Sequence, residues 1–298
     1  MSRTSPVLEL NNGVQMPALG LGVFQSSPED TLAAVETAIA DGYRLIDTAA
    51  AYGNEREVGE GIRRSGIDRP EIFVASKLWI SDYGYDAALR GFGGSLRRLG
   101  LDYVDLYLLH QPMPTDFEAT VSAYKALEKV LADGRARAIG VSNHKPEHLE
   151  ELISCTDVIP AVNQVELHPY FTQPELREVH ARHGIVTQCW SPLGGVLVYR
   201  PADPAAPKNP LEDPTIVDLA AKYGKTPAQV ILRWHIQHGF CAIPKSVHAN
   251  RIGENFDVFD FELTAAEVAA IDAMNTGRRG GPEPDLINTE TYPKRVEN

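Results

Sequence analysis

Short apolar runs, most of them followed by a helical pattern, recur along this chain, and that alternation limits its fold more than any other feature. The strand-like runs are residues 19–24, 43–47, 72–77, 104–110, 136–141, 161–165, 185–190 and 240–243. The first helix carries a full set of boundary signals. Ser27 is its N-cap, Pro28 takes the first position, and Glu29 and Asp30 face the positive end of the dipole. Leu32, Val35 and Ile39 form its buried stripe, and Gly42 stops it. Thr226-Pro227-Ala228-Gln229 reads as a capping box, and Thr264 with Glu267 caps one more helix after the last strand. Within the pattern at 86–99, Gly91, Gly93 and Gly94 should each cost up to about 1 kcal/mol. β-then-α alternation without a compositional break means a parallel sheet with helices outside. Eight such units in 298 residues fit one α/β domain over residues 1–298, a closed TIM-type (β/α)8 barrel. An open dinucleotide-binding sheet would carry G-x-G-x-x-G at its first turn. Here that junction reads Gly20-Leu21-Gly22-Val23-Phe24-Gln25, without the third glycine.

Three segments stand outside the repeat. Residues 7–10, Asn11-Asn12-Gly13 and residues 14–16 read as an N-terminal β-hairpin. The long loop at 195–213 follows the seventh strand; its stretch 201–210, rich in proline and small residues, is expected to form a lid. From Gly277 onward the pattern becomes irregular, as in a tail lying across a surface.

A net charge of -12 argues against general affinity for nucleic acid or anionic membranes. Cys155, Cys189 and Cys241 lie far apart without ligand spacing, as expected of reduced thiols in a cytoplasmic protein. No apolar run is long enough to span a bilayer, and residues 1–10 lack the design of a signal peptide.

In such a barrel the carboxyl ends of the strands share one opening. The residues there are Asp47, Lys77, His110, Ser142 with Asn143, Gln164 with Glu166, Trp190 with Ser191, and Lys245 with Ser246. Any one of them could simply begin a solvated loop; the group as a whole points to a site. Tyr52 follows Asp47 in a loop of small residues closed by Gly53. A free phenol, with a pKa near 10, is a poor proton donor and acceptor at neutral pH, and a neighbouring ammonium lowers that value. Lys77 would supply the charge, Asp47 would fix Lys77, and His110 would orient a carbonyl oxygen toward the Tyr52 hydroxyl. That set protonates a carbonyl while hydride comes from elsewhere. No side chain gives hydride, so a nicotinamide cofactor is implied.

The motifs L-G-L-G-V-F (19–24), D-T-A-A-A-Y-G-N-E (47–55), S-K-L-W (76–79), V-D-L-Y-L-L-H (104–110), I-G-V-S-N (139–143), N-Q-V-E-L-H-P (163–169), W-S-P-L-G (190–194) and I-P-K-S-V (243–247) occur in this order. With them the chain resembles the aldo-keto reductases over nearly its whole length, most closely the bacterial branch that includes the 2,5-diketo-D-gluconate reductases. The resemblance implies a catalytic tetrad of Asp47, Tyr52, Lys77 and His110. It implies that Ser142, Asn143 and Gln164 hold the nicotinamide carboxamide and that Trp190 stacks on the ring. Gly22, Phe24 and Asp47 fall within the implied cofactor set. Ser191, Leu193 and Gly194 would line the pyrophosphate. Lys245, Ser246, Val247 and Arg251 would surround the 2′-phosphate of NADPH, with Glu254 and Asn255 near the adenine. NADH would bind more weakly. Phe24, Tyr52, Trp79, His110 and Gln111 would line the substrate pocket, Gln111 standing where relatives usually carry Trp. The resemblance also implies a monomer acting on a small-molecule carbonyl, with no metal.

Two other readings stay in view. A metal-dependent hydrolase on the same barrel would need ligand spacing such as H-x-H after the first strand, which is absent. A cofactor-binding barrel serving as a sensor or structural protein would have no need of Lys77 beside Tyr52.

Overall fold

The computed structural model describes residues 4–199 and 209–297. The central part of the expected lid, residues 200–208, lies outside the described residues. Strands β1 (Val7–Glu9) and β2 (Gln15–Pro17) form the expected antiparallel hairpin, with Leu8 opposite Met16. Eight parallel strands follow in chain order: β3 (Leu21–Gly22), β4 (Leu45–Asp47), β5 (Phe73–Leu78), β6 (Val104–Leu109), β7 (Ala136–Ser142), β8 (Val162–Glu166), β9 (Val186–Trp190) and β10 (Cys241–Ala242). The first and last of them meet. Leu19 and Gly22 bridge in parallel to Ala242 and Lys245, and the Gly20 amide donates to the Ala242 carbonyl at 2.9 Å. This closure is the (β/α)8 barrel expected from the alternation.

The helices outside are α1 (Pro28–Asp41), α2 (Glu55–Ser65), α3 (Tyr85–Leu99), α4 (Phe117–Ala132), α5 (Pro146–Cys155), α6 (Pro174–His183), α7 (Val196–Tyr199), α8 (Pro214–Tyr223), α9 (Pro227–Gln237), α10 (Ala249–Phe256) and α11 (Ala265–Asp272). Their boundaries follow local chemistry. Ser27 Oγ accepts from the Asp30 amide, and Gly42 closes α1 with φ 108°. Capping boxes at Thr226/Gln229 and Thr264/Glu267 open α9 and α11. α3 runs unbroken through its glycines, and Gly91 shows why one is there. A Cβ at that position would lie 2.6 Å from Leu78 Cδ1, so the glycine lets α3 settle on β5. Helices α7 and α10 were not foreseen in the sequence. None of the helices in the described residues is long and apolar enough to cross a membrane.

Alternation along the strands sorts side chains into two layers. Ile46, Val74, Tyr107, Ile139 and Val141 belong to the cluster that includes Val35, Phe92 and Leu127 of the helices. Leu45, Ala75, Leu108, Ala138 and Val162 fill the barrel interior with Leu10 and Met16 of the hairpin segment. Two residues further along four of these strands, the same inward series ends in Asp47, Lys77, His110 and Gln164. The barrel therefore offers an apolar floor and a polar rim.

Candidate active site

Asp47 pairs in register with Ala75, so Lys77 stands on the same inward face one step further along the next strand. Both side chains are buried, and Lys77 Nζ donates to Asp47 Oδ2 at 2.7 Å, to the Thr48 carbonyl at 2.9 Å and to the Tyr52 hydroxyl at 3.4 Å. Burial lowers the Lys77 ammonium from its ordinary value, and the Asp47 carboxylate opposes that shift. The loop carrying Tyr52 is braced by residues to which sequence reasoning gave no role. Asn54 Nδ2 donates to the Val23 carbonyl at 2.9 Å, and its Oδ1 accepts from Thr48 Oγ1 at 2.9 Å. Glu55 accepts from Ser76 Oγ at 2.6 Å and from Arg98 Nε at 2.7 Å. Both are buried polar side chains directly after Gly53, which was the available signal.

His110 follows β6 with its ring edge-on to Tyr52 (centroids 5.6 Å apart) and to Trp79 (5.1 Å). Burial, then the charges of Lys77 and Lys294, hold it well below the usual imidazole range, so the ring is neutral at physiological pH. Its Nδ1 is buried without a partner among the described residues. Phe24, 42% exposed, meets Tyr52 edge-on at 5.0 Å and flanks the opening. Gln111 is fixed through its backbone by Tyr83, whose hydroxyl donates to the Gln111 carbonyl at 2.5 Å; its side chain is half-buried. Trp79 is buried under the end of the chain. Its Nε1 donates to the Lys294 carbonyl at 2.9 Å, and Lys294 Nζ donates to the Ala51 carbonyl beside Tyr52.

Ser142, Asn143, Gln164 and Trp190 form one network. Ser142 Oγ donates to the Gln164 carbonyl at 2.7 Å. Asn143, at φ 61°, donates to the His110 carbonyl and to Ser142 Oγ, both at 3.1 Å, and accepts from Trp190 Nε1 at 2.8 Å. Gln164 Nε2 donates to Asp47 Oδ1 at 2.7 Å and to Gln188 Oε1 at 2.7 Å. Beyond Trp190 the chain turns tightly: Ser191 has φ 50°, its Oγ accepts from the Val196 amide at 2.9 Å, and the Gly194 amide donates to its carbonyl. Leu193 lies half-buried in this turn. Lys245 and Arg251 are exposed at the end of β10 and on α10, and neither has an acidic partner among the described residues. Ser246, whose Oγ accepts from the His248 amide at 3.1 Å, and the half-buried Val247 lie between them. Gly22 bridges to Lys245; Glu254 is half-buried and Asn255 buried on α10. Glu147, His148 and Asp285 form a possible metal-ligand trio, but Lys145 already pairs with Asp285 Oδ2 at 2.5 Å, and none of the three belongs to this network.

The site is thus a phenol beside a buried ammonium and a neutral imidazole, under an aromatic rim. The model of the aldo/keto reductase family matches residues 18–276. The chain belongs to that family. This aldo/keto reductase is 55% identical to morphine 6-dehydrogenase of Pseudomonas putida, over 99% of its own length and 100% of that protein's. It is 47% identical to glyoxal reductase of Bacillus subtilis, covering 94% of itself and 96% of the relative. Among solved structures, a Bombyx mori aldo-keto reductase in complex with NADP superposes with a TM-score of 0.87 at 36% identity, covering 95% and 96% of the two chains.

The reductase also carries a contact that sequence reasoning did not assign. Glu166, fully buried at the end of β8, accepts from His168 Nε2 at 3.0 Å and from the amides of Gly280 and Gly281 at 2.8 Å each. The irregular tail, expected to lie across a surface, is docked beside the site.

Proposed function

We propose that this reductase uses NADPH to reduce an aldehyde or ketone to the alcohol, with Tyr52 as the proton donor. The observation that carries this reading is Lys77 Nζ standing 2.7 Å from Asp47 Oδ2 and 3.4 Å from the Tyr52 hydroxyl. The residues present fit a nicotinamide dinucleotide phosphate. Two cations without acidic partners among the described residues, Lys245 and Arg251, lie near one another in sequence on an otherwise acidic chain and suit a phosphate ester. Gln164, Ser142 and Trp190 offer amide, hydroxyl and indole surfaces for the carboxamide and ring. When bound, the reduced nicotinamide supplies the hydride.

The chain's own side chains do the rest. His110, neutral and with its own Nδ1 buried and without a partner among the described residues, donates a hydrogen bond to the carbonyl oxygen and aims it at Tyr52. Tyr52 passes its proton to that oxygen as negative charge develops on it. The Lys77 ammonium, fixed by Asp47, stabilises the phenolate left behind. Phe24, Trp79 and Gln111 wall the opening and exclude water from one side.

The relatives' names include both a morphine dehydrogenase and a glyoxal reductase, so substrate choice rests on this chain's own rim. The test is NADPH oxidation against small dicarbonyls, aromatic aldehydes, open-chain sugars and keto-sugar acids. Turnover on any of them, much weaker with NADH, supports the reading. Tight NADPH binding without turnover across the panel would favour a cofactor-binding barrel that senses rather than reduces.

A further inference from the structure

Gln188 is a fully buried amide in the middle of β9, on the inward face between Val186 and Trp190. Below the rim the barrel interior is packed with apolar side chains, and the mechanism above makes no use of this one. Among the described residues its Nε2 finds only sulfur: Cys241 Sγ at 3.3 Å and Met16 Sδ at 4.0 Å, both weak acceptors. A buried amide so poorly served on one side is costly unless its other side does something specific. On that side, Gln188 Oε1 accepts from Gln164 Nε2 at 2.7 Å.

The directions of these bonds follow from chemistry. An ionised Asp47 only accepts, so the end of the Gln164 amide facing it at 2.7 Å is the NH2. That NH2 has two hydrogens: one goes to Asp47, the other to Gln188. The end of Gln188 facing Gln164 is then its carbonyl oxygen. With both hydrogens committed, the Gln164 amide cannot turn over without losing two bonds, and no hydrogen bond within the described residues reaches its Oε1. With Asp47 alone as partner, only one of the two hydrogens would be held.

We infer that Gln188 is a positioning residue: it locks the Gln164 amide so that Oε1, an acceptor, is presented to the NH2 of the nicotinamide carboxamide. This rests on the cofactor reading above and adds a residue that touches neither cofactor nor substrate. Its function is to make the site read a donor at that position of the ligand.

The test compares NADP+ with its 3-acetylpyridine analogue, in which a methyl ketone replaces the carboxamide and the NH2 donor is lost. Dissociation constants are measured by calorimetry on the full chain, with no turnover required. The wild type is expected to bind NADP+ at least about fivefold more tightly than the analogue, the scale of one hydrogen bond. Gln188→Met, of similar volume, should bring that ratio to within about twofold. Gln188→Thr, a good strand former too short to reach Gln164, should do the same if the methionine variant folds poorly. In a Gln164→Leu background, Gln188→Thr should change the ratio no further. A structural role alone would weaken both ligands by one factor and leave the ratio at its wild-type value, which overturns the inference. Failure of the wild type to bind either nucleotide overturns the cofactor reading and this inference with it.

Discussion

Gly281 donates its backbone N–H to Oε2 of Glu166 at 2.8 Å, joining the irregular tail to the end of a barrel strand 115 residues earlier. Gly281 has no room for a side chain, because a Cβ there would lie 2.5 Å from Trp190 Cη2. With Gly280 on the other carboxylate oxygen, the tail is pinned against the indole that the cofactor reading places beside the nicotinamide. Glu166→Gln replaces one acceptor oxygen with an NH2 that faces an N–H. Hydrogen bonds to charged groups contribute about 1.5–3 kcal/mol, so amide exchange in residues 277–287 should quicken by about tenfold to a hundredfold. Exchange mass spectrometry reads this directly; unchanged protection in that peptide would show that Glu166 does not hold the tail.

Tyr52→Phe removes the phenolic proton and leaves the ring that packs edge-on against Phe24 and His110. Turnover should fall about 10²- to 10⁴-fold, the usual range for a general acid, while the dissociation constant for NADPH stays within about twofold. Substantial residual turnover would take the proton-donor role away from Tyr52.

Most of the barrel was legible because its signals are local. Ser27, Gly42 and the two capping boxes mark helix ends within four residues of the bonds they make, and the inward series ending in Asp47, Lys77 and His110 follows from a period of two. Helix α10 was missed because it lacks such signals. His248 makes no side-chain cap, and only Ile252 and Phe256 supply an apolar stripe, interrupted by Gly253. The tail was legible only as irregular, since what fixes it is Glu166 and Trp79, far away in sequence. In the same way, the sequence placed Gln164 at the rim but could not show that its NH2 is already committed to Asp47 and Gln188.

Lys245 and Arg251 carry the expected preference for a 2′-phosphate. Because neither has an acidic partner among the described residues, removing its charge breaks no internal pair and should leave the fold intact. Lys245→Gln and Arg251→Gln are each expected to weaken NADPH binding about tenfold or more, with NADH changed less than about twofold. The ratio of the two dissociation constants, measured at fixed ionic strength, checks this. Equal weakening of both nucleotides would move the phosphate contact elsewhere.

Acid should destabilise this barrel earlier than carboxylate titration alone would. Burial pushes His144, His180 and His235 down to about 3, against about 6.5 in an unfolded chain. Between those values the unfolded state binds protons that the folded state refuses, so stability is complete above pH 6.5 and is lost as the pH falls toward 3. Each of these histidines contributes about 1.4 kcal/mol per pH unit inside that window. The urea midpoint should therefore fall steadily from pH 6.5 to 5, a range in which exposed aspartates and glutamates remain mostly ionised. His235→Gln offers an amide N–H in place of the ring nitrogen that lies 3.0 Å from the Pro192 carbonyl, and it should reduce the slope by about one proton. A midpoint flat between pH 7.5 and 5 would mean that these imidazoles take up protons without unfolding.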